Sequence, residues 1–300
     1  MTSAASVGWK LSLAPRIALA GSPGRSRTNM NTTVVTSQMR TTVMSNRRTR
    51  KPVTLQGRVG QRAVRPSGEA ATMPVGFRVI RRSSRPDAAL LKGFAALHTA
   101  DLSDAMNRSG TMDRGIKPVF SPIRRVVGPA VTISAPTGAF NMVKIGMEQT
   151  QIGDVLVVNA RGALNGALVG GNVCRGLVHR GLAGLVADGA VRDASEIQQD
   201  GLPTFARGIT TVMGPIDGPG EVNVPIACGG VVVNPGDIIV ADDDGIVVIR
   251  PSEAEEVLVE TAKVQASHDA VQPILLRGEV TNIAKIERAL RDQGCTFVDG

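Results

Sequence analysis

Short apolar runs edged by glycine recur from residue 128 to residue 249, and stretches of helical spacing separate those in the middle. "GPAVTISAP" (128–136), "GDVLVVNA" (153–160), "LAGLVADG" (182–189) and "LPTFARG" (202–208) are largely apolar, rich in β-branched residues and bounded by Gly or Pro, so each reads as a strand. Between the last three lie "NVCRGLVHRG" (172–181) and "ASEIQQDG" (194–201), which read as short helices. "GGVVVNPGDIIVADDDGIVVI" (229–249) reads as a meander, with turns at Pro235-Gly236-Asp237 and Asp243-Asp244-Gly245. Helical patterns flank this centre. "RPDAALLKGFAALHTADLSDAM" (85–106) carries a start signal at Pro86 and Asp87 and a second cap at Thr99 and Asp101, and residues 251–290 are helical in pattern. The echo between "GDVLVV" at 153 and "GDIIVA" at 236 needs only two turn-plus-strand units, not a duplication. Such a chain is expected to form one α/β domain of layered sheets.

The net charge of +8 suggests nucleic acid until it is located. Residues 1–68 contain none of the 26 acids and 12 of the 34 Lys and Arg, which leaves 22 bases against 26 acids in the rest. The domain is therefore mildly acidic. Residues 1–72, rich in Arg, Ser and Thr, are expected to be a disordered basic tail. Three origins compete for it: sequence upstream of a true start at Met73, an organelle transit segment, or a nucleic-acid-binding arm. Residues 73–300 are then the single domain. Its three cysteines are far apart and form no CxxC, which points to a reducing, cytoplasmic setting without disulfides or a zinc site. His98, His179 and His268 are too scattered to share a metal. With no Tyr, one Trp and six Phe, a base-stacking platform is not expected. No apolar run approaches the ~20 residues of a membrane helix.

Chemistry can gather where the strand at 153–159 ends. A Gly-rich stretch, "RGALNGALVGGN", leads to a helix opening at about Asn172, and the first amides of a helix have no partner within it. The next strand delivers Arg192 and Asp193 to the same end of the sheet, where ligands of α/β proteins collect. Arg192 suits a carboxylate or developing negative charge. Asp193, a hard oxygen ligand, suits Mg²⁺ or Mn²⁺ with water completing the shell. The plain alternative is a solvated turn with a helix cap.

"TADLSDAM", "GGNVCRGLVHRGLAGLVADGAVRD" and "NPGDIIVADDDGIVVI" together resemble the RraA-like family, over roughly residues 75–290. That family includes 4-hydroxy-4-methyl-2-oxoglutarate aldolases and the regulator of ribonuclease E activity. The resemblance implies a layered α/β/β sandwich of the swivelling-domain type, assembled as trimers or hexamers with sites at subunit interfaces. It implies substrate binding by Gly170, Gly171, Asn172, Val173 and Arg192, and a divalent metal (Mg²⁺ or Mn²⁺) on Asp193. The implied activity is a metal-dependent (class II) aldolase that releases pyruvate from small 2-oxo acids, with oxaloacetate decarboxylation through the same enolate. The competing expectations are a non-catalytic regulator of a ribonuclease or other protein and, resting on the tail alone, an RNA binder.

Many aldolase-branch members carry an acid where this chain has Gly171. Asp104 is a candidate replacement, although a helix-surface carboxylate is the simpler reading of it. Asp242–Asp244 read as a hairpin turn rather than a metal cluster. Cys174 stands in the first turn of its helix, where a thiol pKa can fall, but with no His or Cys nearby in sequence it reads as packing.

Overall fold

The computed structural model describes residues 75–298 except 82 and 137, all within the compact unit Ser67–Gly300. The expectation for residues 1–72 lies outside the described residues. In chain order the elements are β1 (Phe77–Val79), α1 (Ala88–Gly93), α2 (Thr99–Ala105), β2 (Lys117–Pro118), β3 (Val126–Ser134), α3 (Phe140–Met147), β4 (Val155–Ala167) and α4 (Gly171–His179). There follow β5 (Gly184–Val191), α5 (Ala194–Asp200), β6 (Thr204–Ile209), β7 (Gly220–Val222), β8 (Ile226–Cys228), β9 (Val231–Val233), β10 (Ile238–Ala241), β11 (Ile246–Ile249), α6 (Ala254–Leu275) and α7 (Ile283–Asp292).

β3 divides its partners between two layers. Its first half pairs antiparallel with β10, Val126 facing Ala241, and its second half pairs parallel with β4, Ala130 facing Val155. Pro129, which has no amide hydrogen to donate, stands where the partner changes. One layer runs β1-β7-β3-β4-β5-β6-β2, and β3–β6 within it are mutually parallel. The other is the β10–β11 hairpin continued from β3.

The period of two sorts side chains between cores. Leu156 and Val158 of β4 join Val143, Cys174, Leu177 and Ile197 beneath α3, α4 and α5. Val155 and Val157 face the opposite way, toward Phe205, Ile239, Ile246 and Val248 between the two sheets. Burial on both faces explains why these strands are continuous apolar runs. A third cluster, with Phe94, Leu102, Ile238, Val240, Val247 and Val257, packs α1, α2 and α6 against the far side of the hairpin. The layered α/β/β arrangement is thus present, with α1, α2 and α6 packed outside it.

Two local expectations are corrected. β4 does not end near Asn159 but continues to Ala167 beside β5 through two register shifts. Nor do Thr99 and Asp101 cap α2, whose N-cap is His98 without a side-chain bond. The cap arrives from elsewhere: Asp242, on the hairpin, accepts the Thr99 amide at 3.0 Å and its hydroxyl at 2.5 Å. Asp87 does cap α1, accepting the Ala89 amide at 3.1 Å. Among the described residues no helix is long and apolar enough to cross a membrane.

Candidate active site

β5 is buried along its whole length and ends at Val191, so Arg192 and Asp193 are the first residues to leave the core. Asp193 adopts the left-handed conformation (φ 60°, ψ 41°), uncommon outside glycine, just before α5. Its carbonyl starts that helix, accepting Glu196 and Ile197 at 3.0 Å each, but its side chain does not cap it. The carboxylate turns instead to the neighbouring helix start, where Oδ2 accepts the Gly171 amide at 3.0 Å. Arg192 Nε lies 3.4 Å from the same oxygen, is buried and makes no hydrogen bond. Backbone bonds fix the junction, with Leu168 donating to Ala190 (2.8 Å) and Arg192 to Val169 (3.1 Å).

The double glycine is required by proximity rather than by backbone angles. A Cβ on Gly170 would lie 2.5 Å from Asp193 Oδ2 and 2.9 Å from Arg192 Cγ, whereas φ there is an ordinary −138°. A Cβ on Gly171 would lie 2.5 Å from Glu196 Oε2. The carboxylate nearest a side chain placed at Gly171 is therefore that of Glu196, paired with Arg175 at 3.4 Å. Asp104 does not line the cleft: it is exposed on α2, which packs against α6.

The cleft beside this junction has a volume of about 280 Å³. Gly170, Asn172, Val173, Arg192 and Asp193 line it. Gly171 does not, and contributes its amide to Asp193 instead. The helix start is thus a partly filled anion cradle, with the protein's own carboxylate on its first amide. Sequence reasoning missed the opposite wall: Phe140 and Lys144 from α3, and Met213 and Ile216 from the segment after β6. That segment is tied in place, Gly214 donating to Ala167 and Phe140 to Pro215, both at 3.0 Å. α3 opens beyond the end of β3 as α4 opens beyond β4, at the same edge of the sheet.

Other polar groups are occupied structurally. Burial pushes the Cys174 thiol up to about 12, outweighing its place in a helix start and agreeing with a packing role. Asp188, buried on β5, pairs with Arg207 and accepts the Gly229 amide at 2.9 Å. Asp242 to Asp244 form the β10–β11 turn, where Asp242 holds α2 and Asp243 accepts Ser121 at 2.9 Å. Among the described residues no group of three or more His, Cys, Asp or Glu is placed to hold a metal.

A family model described as RraA-like, Aldolase/RraA, matches residues 99–248, half of the chain. A Halalkalibacterium halodurans protein named "Putative 4-hydroxy-4-methyl-2-oxoglutarate aldolase" is 38% identical over 177 residues, covering 59% of this chain and 84% of that protein. Among solved structures, Streptomyces coelicolor RraAS2, described as an unusual member of the RNase ES inhibitor RraA protein family, is 30% identical with a TM-score of 0.56, covering 63% of this chain and 98% of its own. An uncharacterized protein from Pseudomonas syringae pv. tomato is 25% identical with a TM-score of 0.57, covering 66% and 97%. The matched range runs from the start of α2 to β11 and contains both strand ends and both walls of the cleft, and on that ground the chain belongs to the RraA-like (Aldolase/RraA) family.

Proposed function

We propose that this chain is a divalent-metal-dependent lyase that cleaves 4-hydroxy-4-methyl-2-oxoglutarate-type 2-oxo acids to pyruvate and also decarboxylates oxaloacetate. The observation that carries this reading is a guanidinium and a carboxylate side by side on one cleft, held there by a strand end and a glycine-built helix start. Asp193 fits a hard cation. Its Oδ2 is engaged, its Oδ1 has no partner among the described residues, and its side chain is 37% exposed. One carboxylate with water and substrate oxygens suffices for Mg²⁺. Bound there, the ion supplies Lewis-acid polarisation of the 2-oxo group.

The side chains do the rest. In the hydroxy acid the C4 hydroxyl gives its proton to water and becomes a carbonyl as the C3–C4 bond breaks and its electron pair moves to the C2 oxygen. Arg192 sets a fixed positive charge against that oxygen, a stabilisation larger in the transition state than in the substrate. Phe140, Val173, Met213 and Ile216 exclude water around the reacting carbons. The enolate then takes a proton at C3 to give pyruvate. Loss of CO₂ from oxaloacetate leaves the same enolate, which is why one site serves both.

The test is pyruvate release from both acids. EDTA is expected to abolish it, Mg²⁺ or Mn²⁺ to restore it, and Arg192→Ala to reduce kcat/KM by about 10²–10³-fold. Turnover that survives EDTA and this substitution removes the metal and Arg192 from the mechanism, and no pyruvate from either acid removes the lyase reading. The regulator reading has the description of the Streptomyces coelicolor neighbour behind it, but it leaves the paired Arg192 and Asp193 without a task. A homotrimer is part of the proposal, supported by exposed apolar side chains (Leu164, Ile209, Val212 and Ile216, 53–59% exposed), the last of them on the cleft, that a second copy would cover. Light scattering is expected to read three chain masses, and a monomer at working concentration refutes the trimer.

A further inference from the structure

Lys144 is the second cation on the cleft. It stands one turn after Phe140 on α3, its ammonium 4.6 Å from the centre of that ring, and no carboxylate among the described residues pairs with it. The acids on and near α3 are otherwise engaged: Glu148 with Arg180 at 3.2 Å, and Asp217 with the Asn141 amide at 2.7 Å. A ring holds a lysine by its face and leaves the N–H donors directed elsewhere. Arg192 comes from a different segment, at the end of β5, and Val173, Met213 and Ile216 supply apolar surface in the same cleft. Charged lining groups therefore number two cations and one carboxylate. A ligand that satisfies this wall carries an anion at each end and carbon between.

We propose that Lys144 is a specificity-determining residue that grips the distal carboxylate of the ligand, so that the cleft selects dicarboxylic 2-oxo acids over monocarboxylic ones of the same length. The substrate names rest on the lyase reading above; the binding preference does not. In the branched six-carbon hydroxy acid that distal carboxylate remains on the second product. In oxaloacetate it is the group that leaves. The grip therefore serves both states of the aldol cleavage, lowering KM without raising kcat, but only the ground state of the decarboxylation, where it lowers KM and kcat together.

Calorimetry with 2-oxoglutarate and 2-oxopentanoate, which differ only in the distal carboxylate against a methyl, reads the preference without turnover. The native protein with Mg²⁺ is expected to favour 2-oxoglutarate by about 10–100-fold, as a charge-assisted hydrogen bond does. Lys144→Ala is expected to bring the two to near parity, Lys144→Glu to reverse them, and Lys144→Arg to keep the preference. Since Lys144 is exposed, the thermal midpoint of each variant checks that folding is intact. A native protein without preference, or a preference that persists in Lys144→Ala, overturns the assignment. Collapse of the preference in a protein that releases no pyruvate keeps Lys144 and overturns the lyase reading instead.

Discussion

Asp193→Asn is expected to lower kcat/KM for pyruvate release by about 10³-fold, with little change in thermal midpoint. The substitution keeps the shape of the side chain and an oxygen able to accept the Gly171 amide, so the tie between the two helix starts survives. It removes the negative charge, and a neutral amide oxygen is a much poorer ligand for a hard cation. If the ion contributes several kcal/mol to holding the enolate, each ~1.4 kcal/mol is one factor of ten. Titration with Mg²⁺ separates causes. A shift of the half-saturating concentration by tenfold or more places the loss at the cation, whereas an unchanged curve with reduced activity assigns Asp193 to positioning alone. Full activity in Asp193→Asn ends the metal assignment.

Much of this architecture could be read directly from periodicity. The β4 run "VLVV" is apolar at every position because Leu156 and Val158 enter one core while Val155 and Val157 enter the other. Arg192 and Asp193 were legible because they end an apolar strand, and the geometry of strand then helix leaves few places for them to go. What could not be read is what depends on partners far away in the chain. Residues 161–167 look like a loop, being small and polar and carrying Arg161 and Gly162 at positive φ. They nevertheless remain beside β5, with Ala163 opposite Gly189 and Ala167 opposite Ala190. Thr99 looks like a cap because it is one by composition, yet the hydrogen bond that starts α2 comes from Asp242, 143 residues later. Local preference named the right kind of bond and the wrong acceptor for it.

The same distinction explains the far wall of the cleft. Phe140 and Lys144 carry no motif, and their importance arises only when the 213–216 segment folds back and closes the space between α3 and the Arg192–Asp193 junction. The missing acid at Gly171 follows a related logic. The room that a side chain there would occupy is taken by Glu196, in the first turn of α5.

Gly170→Ala is expected to cost about 10²-fold in kcat/KM while leaving the fold intact. Its backbone is extended (φ −138°, ψ −172°), which any residue adopts, so alanine adds no strain and even reduces the freedom of the unfolded chain. The obstacle is the space beyond. A methyl group 2.5 Å from Asp193 Oδ2 and 2.9 Å from both Arg192 Cγ and Nε cannot coexist with them, and Cγ is too near the backbone to swing clear freely. Both side chains must move by a fraction of an ångström to an ångström, and misplacement on that scale costs about two orders of magnitude in rate. Gly201→Ala is the matched control. It has φ +73° with nothing within 4 Å of a new Cβ, so it should cost about 1–2 kcal/mol of stability through backbone strain and leave activity untouched. If the two variants lose activity and stability in the same proportion, the glycine at 170 is serving the fold rather than the approach of Arg192 and Asp193, and the crowding argument for the site fails.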